Sequence, residues 1–278
     1  MAIQIRADAT TVTPTMTDSD VLDFCKKGIL ILPGIVDDRT NRWVYEYLDR
    51  EGTKPNDLVA DPRFAEEVLL HPKVAGVARS LLGANFQLPD WMANHRLLGP
   101  RPAGRWHIDA GSDFSRRCDL LQIFYIPQDV TVPMGPTLFL PGSHLAPITR
   151  EELDHFGGIA GQISIAGSAG SVIVTDYDIW HRQSEKVDPA TRNLLKWECW
   201  RTVPPTRDWV VDPDFDFHRQ DYSYTNEYFQ GPTRKWQSVQ RTAELFYWLC
   251  GKADEFRVVG GSGWPYTSSD PRRPQSMH

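Results

Sequence analysis

Near residue 83 the spacing of hydrophobic positions changes. Before it, apolar residues recur at helical intervals; beyond it, they fall in short runs cut by turn residues. Thr17-Asp18-Ser19-Asp20 offers N-cap chemistry for a helix carrying Val21, Leu22 and Phe24, which Gly28 ends. Ile29-Leu30-Ile31-Leu32 is continuously apolar and bounded by Pro33-Gly34, as a short buried strand would be. A second helix is predicted over 38–50. A third spans 72–82, with Val74, Val77, Ala78 and Leu81 on one face and Gly83 where a C-terminal cap belongs. From residue 86 onward, strands are predicted at 86–98, 119–126, 136–140, 171–175 and 192–203. An aromatic-rich stretch then follows Pro204-Pro205 and leads to a helix over 235–250.

Many short strands with Gly- and Pro-rich turns predict a β-sandwich or barrel, flanked here by helices, and not a parallel α/β sheet. No repeat or clean linker interrupts the pattern, so 1–278 reads as one domain. Within it, 1–16 is a loose arm, 17–203 the core, 204–259 an aromatic-rich appendage and 260–278 a flexible tail rich in Gly, Ser and Pro. The appendage, with Phe215, Phe217, Tyr222, Tyr224, Tyr228, Phe229 and Trp236, is expected to serve as a lid or as a homodimer contact.

Composition narrows the function. The 278 residues are 41% hydrophobic and 24% charged, as in an ordinary globular protein. A net charge of −6 argues against a nucleic-acid partner. No apolar run is long enough to span a bilayer, and the polar N-terminus lacks a secretory signal. Cys25, Cys118, Cys199 and Cys250 are far apart, which signals neither a disulfide framework nor a thiolate metal site. A cytoplasmic protein acting on a small molecule is expected.

The chemistry lies in Trp106-His107-Ile108-Asp109. On a strand, residues i and i+2 share a face, so His107 and Asp109 can aim at one ion. Such a pair alone is weak, but His181, just past the apolar run 171–175, supplies a third donor. Two imidazoles and a carboxylate form the facial triad of non-haem iron(II) oxygenases, which leaves three positions for co-substrate and oxygen. Arg192 opens the next strand, and its planar guanidinium suits the far carboxylate of 2-oxoglutarate.

At these residues the chain resembles the phytanoyl-CoA dioxygenase family of iron(II)/2-oxoglutarate enzymes. The resemblance rests on W-H-x-D at 106–109, Gly135-Pro136-Thr137 through Pro141-Gly142-Ser143-His144, then His181 and Arg192. Upstream, Phe24, Gly28, the strand 29–32, His71-Pro72 and Leu81-Leu82-Gly83 fit the family's opening, so the likeness covers roughly 17–203. It implies a double-stranded β-helix, the jelly-roll barrel shared with cupins. It also implies Fe(II), 2-oxoglutarate and O2 as cofactor and co-substrates, with Asn94 at a position where members place a polar side chain against the keto-acid end. A buried amide satisfying the backbone is an equal reading of Asn94. Related halogenases lack the motif's carboxylate; the intact Asp109 points to oxygenation. His144 reads as a brace for its turn, and His71, His95, His155, His218 and His278 as surface or packing residues.

For the substrate, Trp91, Trp106, Trp180, Trp197 and Trp200 predict apolar walls around a small molecule, or else core packing. Arg101, Arg105, Arg116 and Arg117 flank the motif and would suit an anionic group. Strict alternation puts Lys196 and Glu198 on the face of Arg192. A bulge, an ion pair in the cavity or substrate contact would each account for that. Two other functions compete: a cupin-type metal isomerase, lyase or dioxygenase without 2-oxoglutarate, and a non-catalytic binding module.

Overall fold

The computed structural model describes residues 12–112, 115–146, 148–224 and 232–256. The tail from 260, the arm up to residue 11, and Tyr228 and Phe229 lie outside the described residues. The first helix, α1 (Asp18–Lys27), starts on a capping box in which Thr17 accepts from the Asp20 N–H and Asp20 from that of Thr17. Gly28 ends it at φ 67°. Helices α2 (Asp38–Asp49), α3 (Pro55–Val59), α4 (Pro62–Phe64) and α5 (Pro72–Leu82) follow β1 (Ile29–Leu32). His71 caps α5 by accepting the Lys73 N–H at 3.3 Å, so this histidine is built into a helix start.

The remaining strands are β2 (Met92–Asn94), β3 (Leu120–Ile126), β4 (Thr137–Phe139), β5 (Ile163–Ser164), β6 (Ser171–Asp176), β7 (His181–Gln183) and β8 (Leu195–Trp200). They make a five-stranded sheet in the order β1-β6-β3-β8-β2 and a three-stranded sheet β5-β4-β7, every pair antiparallel. A short helix α6 (Arg150–Leu153) and the long α7 (Pro232–Leu249) complete the elements used below.

Strand β3 shows how the layers form. Leu121, Ile123 and Tyr125 join a cluster with Phe24, Val44, Leu81 and Phe246, so this face packs on the helices. Phe124 and Ile126 point the other way and pack with Phe139 and Ile179, joining the large sheet to the small one. A sheet covered on both faces accounts for the near-continuous apolar run.

Two expectations change. The segment around His107 is not a strand; it touches β7 through an isolated bridge at His107–His181 and the chain just beyond β7 through one at Arg101–Lys186. The arm is not loose at its end, because Met16 is buried and the Thr15 and Met16 N–H groups both reach Ser80 Oγ. The described part of 204–256 packs on α1 and the helical layer, through Trp209, Tyr222, Phe246 and Tyr247. Among the described residues no helix is long and apolar enough to cross a membrane, and all four cysteines are buried and free.

Candidate metal centre

His107 and His181 face each other as a hydrogen-bonded antiparallel pair. The His107 N–H donates to the His181 carbonyl at 3.0 Å, and the His181 N–H donates to the His107 carbonyl at 2.9 Å. That pairing brings the ring centroids to 4.4 Å. Each ring is turned the same way: Nδ1 lies 2.9 Å from the Arg105 carbonyl in His107 and 3.0 Å from the Ile179 carbonyl in His181. A carbonyl can only accept, so Nδ1 carries the proton and both Nε2 lone pairs are free. Phe139 stacks on the His181 ring at 5.6 Å and holds its plane.

Asp109 sits in the turn beyond His107, with Oδ1 4.0 Å from His181 Nε2. One donor atom from each of His107, Asp109 and His181 falls within 4.8 Å of the others, close enough for one ion. Burial, with His107 alongside, pushes the His181 imidazole down to about 4, which leaves it neutral near pH 7. Burial would raise the Asp109 carboxyl. The neighbouring His181, the Lys196 ammonium and the Gln122 amide outweigh it and hold the group at about 2. A neutral imidazole at His181, an Nε2 turned away from the backbone at His107 and an ionised carboxylate at Asp109 suit a divalent metal, so the residues fit iron(II).

The two imidazoles open into a cavity of about 590 Å³ lined by His107, His181, Asn94, Thr137 and Arg192, among others. Arg192 lies just before β8, its backbone bridged to Leu97. Its side chain is 2% exposed, and its Nε is buried without a hydrogen-bond partner among the described residues. An unpaired buried guanidinium fits an incoming carboxylate. Asn94 also lines the cavity, but its amide is already engaged: Oδ1 accepts from the Leu194 N–H at 3.1 Å and Nδ2 donates to Asn193 Oδ1 at 2.8 Å.

Other expectations fare unevenly. Of the five tryptophans, only Trp106 lines the cavity; Trp180 and Trp197 are buried in packing and Trp91 is exposed. Arg101 and Arg105 do face it, joined by Arg96 and Arg150. Arg116 lies elsewhere, paired with Glu244 at 3.0 Å, and Arg117 lines a separate hollow with it. His144 stands apart from the three donors, bonded to the Cys25 carbonyl at 3.1 Å. His95, read as surface or packing, lines the cavity instead. No described residue of 204–256 lines it.

Sequence reasoning missed Gln122, which is fully buried and donates to Asp109 Oδ2. One amide inside the apolar run Leu-Leu-Gln-Ile-Phe-Tyr-Ile was the available signal. The tension at Lys196 resolves as an ion pair inside the site, with Nζ 2.5 Å from Asp109 Oδ2.

Sheets with flanking helices around a His-Asp-His donor set place the chain among the 2-oxoglutarate-dependent, iron-using oxygenases. The family model described as phytanoyl-CoA dioxygenase matches residues 26–192, more than half the chain, and the chain belongs to that family. Among solved structures it is similar to HygX from Streptomyces hygroscopicus with iron bound (TM-score 0.56, 20% identity, covering 70% of this chain and 90% of that one). HygX with nickel and 2-oxoglutarate bound matches at TM-score 0.55, again at 20% identity and with the same coverage. SnoN, a non-heme alpha-ketoglutarate-dependent epimerase from nogalamycin biosynthesis, matches at TM-score 0.51 and 17% identity, covering 65% of this chain and 83% of that one. At such identities the likeness is one of fold.

Proposed function

We propose that the chain hydroxylates a small molecule, holding iron(II) through His107 Nε2, Asp109 Oδ1 and His181 Nε2 and seating the far carboxylate of 2-oxoglutarate on Arg192. The observation that carries this reading is the matched orientation of the two imidazoles, each with Nδ1 on a backbone carbonyl and Nε2 free. The two sheets, joined by the cluster around Phe124 and Phe139, are on this reading the two halves of a double-stranded β-helix.

When bound, iron(II) with 2-oxoglutarate supplies oxygen activation coupled to release of succinate and carbon dioxide, and through it removal of a substrate hydrogen atom. The protein's part is orientation and exclusion of water. Arg192, desolvated and with its Nε unpartnered among the described residues, fixes the co-substrate's remote end. Asn94 keeps one amide proton free for the keto-acid end. Phe124, Trp106 and Leu194 provide apolar wall near the donors. The substrate is not wholly apolar on this reading: Arg101, Arg105 and Arg150 on the cavity wall, against Asp154 alone among acidic lining residues, suit a polar or anionic portion.

The test is anaerobic addition of 2-oxoglutarate to iron(II)-loaded protein, followed by air. A visible charge-transfer band and oxygen-dependent succinate formation are expected, both lost in His107→Ala and Asp109→Ala. Arg192→Ala should keep the metal and need about 10- to 100-fold more 2-oxoglutarate for half-saturation, since charge-assisted hydrogen bonds contribute about 1.5–3 kcal/mol. Absence of both band and succinate in the unsubstituted protein would overturn the reading.

A further inference from the structure

The two oxygens of Asp109 are in different situations. Oδ1 faces His181 Nε2 and the donor cluster. Oδ2 accepts two donors from the large sheet, the Lys196 ammonium at 2.5 Å and the Gln122 amide. A carboxylate oxygen has about two lone-pair sites, so both on Oδ2 are spoken for. The donors are themselves fixed. Gln122 on β3 is fully buried and Lys196 on β8 is 7% exposed. In the register of these strands Gln122 stands opposite Glu198 and Phe124 opposite Lys196, so the two donors are diagonal neighbours on the cavity face.

The geometry points to Lys196 and Gln122 as positioning residues that make Asp109 a one-oxygen ligand; this rests on the metal-binding reading above. The consequence is a count of open positions. An octahedral ion held by two imidazoles and one carboxylate oxygen keeps three sites; a carboxylate gripping with both oxygens would leave two. A chelating keto acid takes two, so the third, where oxygen must enter, exists only while Oδ2 is held away. Neither residue touches the ion, and both act through Asp109.

Counting exchangeable waters tests this without turnover. Manganese(II) is loaded in place of iron, bound ion is quantified by the loss of the free-ion spin-resonance signal, and water-proton relaxation is measured per bound ion. The unsubstituted protein should relax as three waters. Lys196→Met and Gln122→Met, of similar length but without the donor, should each relax more weakly, falling by about one third as Oδ2 turns to the ion. Thermal unfolding checks that each variant is folded, and either one alone suffices if the other is not. A merely structural role would lower the melting temperature and leave the relaxation per ion unchanged, which would overturn the inference while leaving the proposed function standing. An unsubstituted protein that takes up no manganese would instead overturn both.

Discussion

Gly28 and His144 meet where α1 hands over to β1. A Cβ at Gly28 would lie 2.4 Å from His144 Nδ1, and the backbone there has φ 67°. Gly28→Ala therefore combines a left-handed conformation, costing about 1–2 kcal/mol, with a clash against a ring that cannot retreat. Denaturant unfolding should show a loss of about 2 kcal/mol or more. The same ring makes a pH prediction. Burial pushes His144 down to about 4, while the unfolded chain titrates near 6.5. Between those values the unfolded state binds the extra proton, so the stability contribution is intact above pH 6.5 and lost as pH falls toward 4. From pH 7 to pH 5 the loss attributable to this group is roughly 2 kcal/mol, measured as the difference in pH dependence between the unsubstituted protein and His144→Gln. Its turn was legible in the sequence as a Pro-Gly-Ser-His brace; the reason for Gly28 was not, because that reason is a side chain more than a hundred residues away.

Elements with local causes were legible. The cap at Thr17, the helical spacing of Val74, Val77, Ala78 and Leu81, and the apolar runs of β3 and β6 all depend on neighbours in sequence. Elements made by pairing alone were not. His107 looked like a strand residue, yet a single bridge to β7 orients it, and Asp109 takes its position from a turn. The His-Asp-His grouping was still readable because motif order survives such changes of local structure. Gln122 was not, and Lys196 stood out only as a polar residue with three open readings, since their common target appears only once β3 and β8 are side by side. The connection from β7 to Arg192 gives a prediction at this scale. Lys186 is 1% exposed, and its ammonium donates to the carbonyls of Asp188 and, at 2.6 Å, Ala190. Lys186→Met strands those carbonyls in the loop that delivers Arg192. It should weaken 2-oxoglutarate binding several-fold while leaving metal binding near its starting value, read by titrating the charge-transfer band; equal weakening of both would count against this role.

Across the whole molecule, the first and last thirds are tied through one buried acid. Asp18, 1% exposed at the start of α1, accepts from Arg207 Nε and Nη2 at 2.7 Å each, from Trp209 Nε1 at 2.8 Å and from the Asp212 N–H at 2.6 Å. Burial alone would raise its pKa, but these donors together bring it below the usual carboxylate value. Asp18→Asn leaves Arg207 without its charge partner, so a loss of about 3 kcal/mol and earlier proteolytic cleavage within 204–256 are expected, with succinate formation by the surviving folded protein unchanged. The tie explains how a segment outside the cavity stays part of the fold. At the metal site, the reciprocal backbone bonds between His107 and His181 hold the two ligand-bearing residues together through the main chain and not through an ion. Loading and stripping are then reversible chemistry on a finished scaffold: a chelator should empty the site while the near-ultraviolet spectrum persists, and added metal should raise the melting temperature only by mass action. In a cell such an enzyme would track the labile iron pool, idle but intact when iron is scarce and active again when it returns.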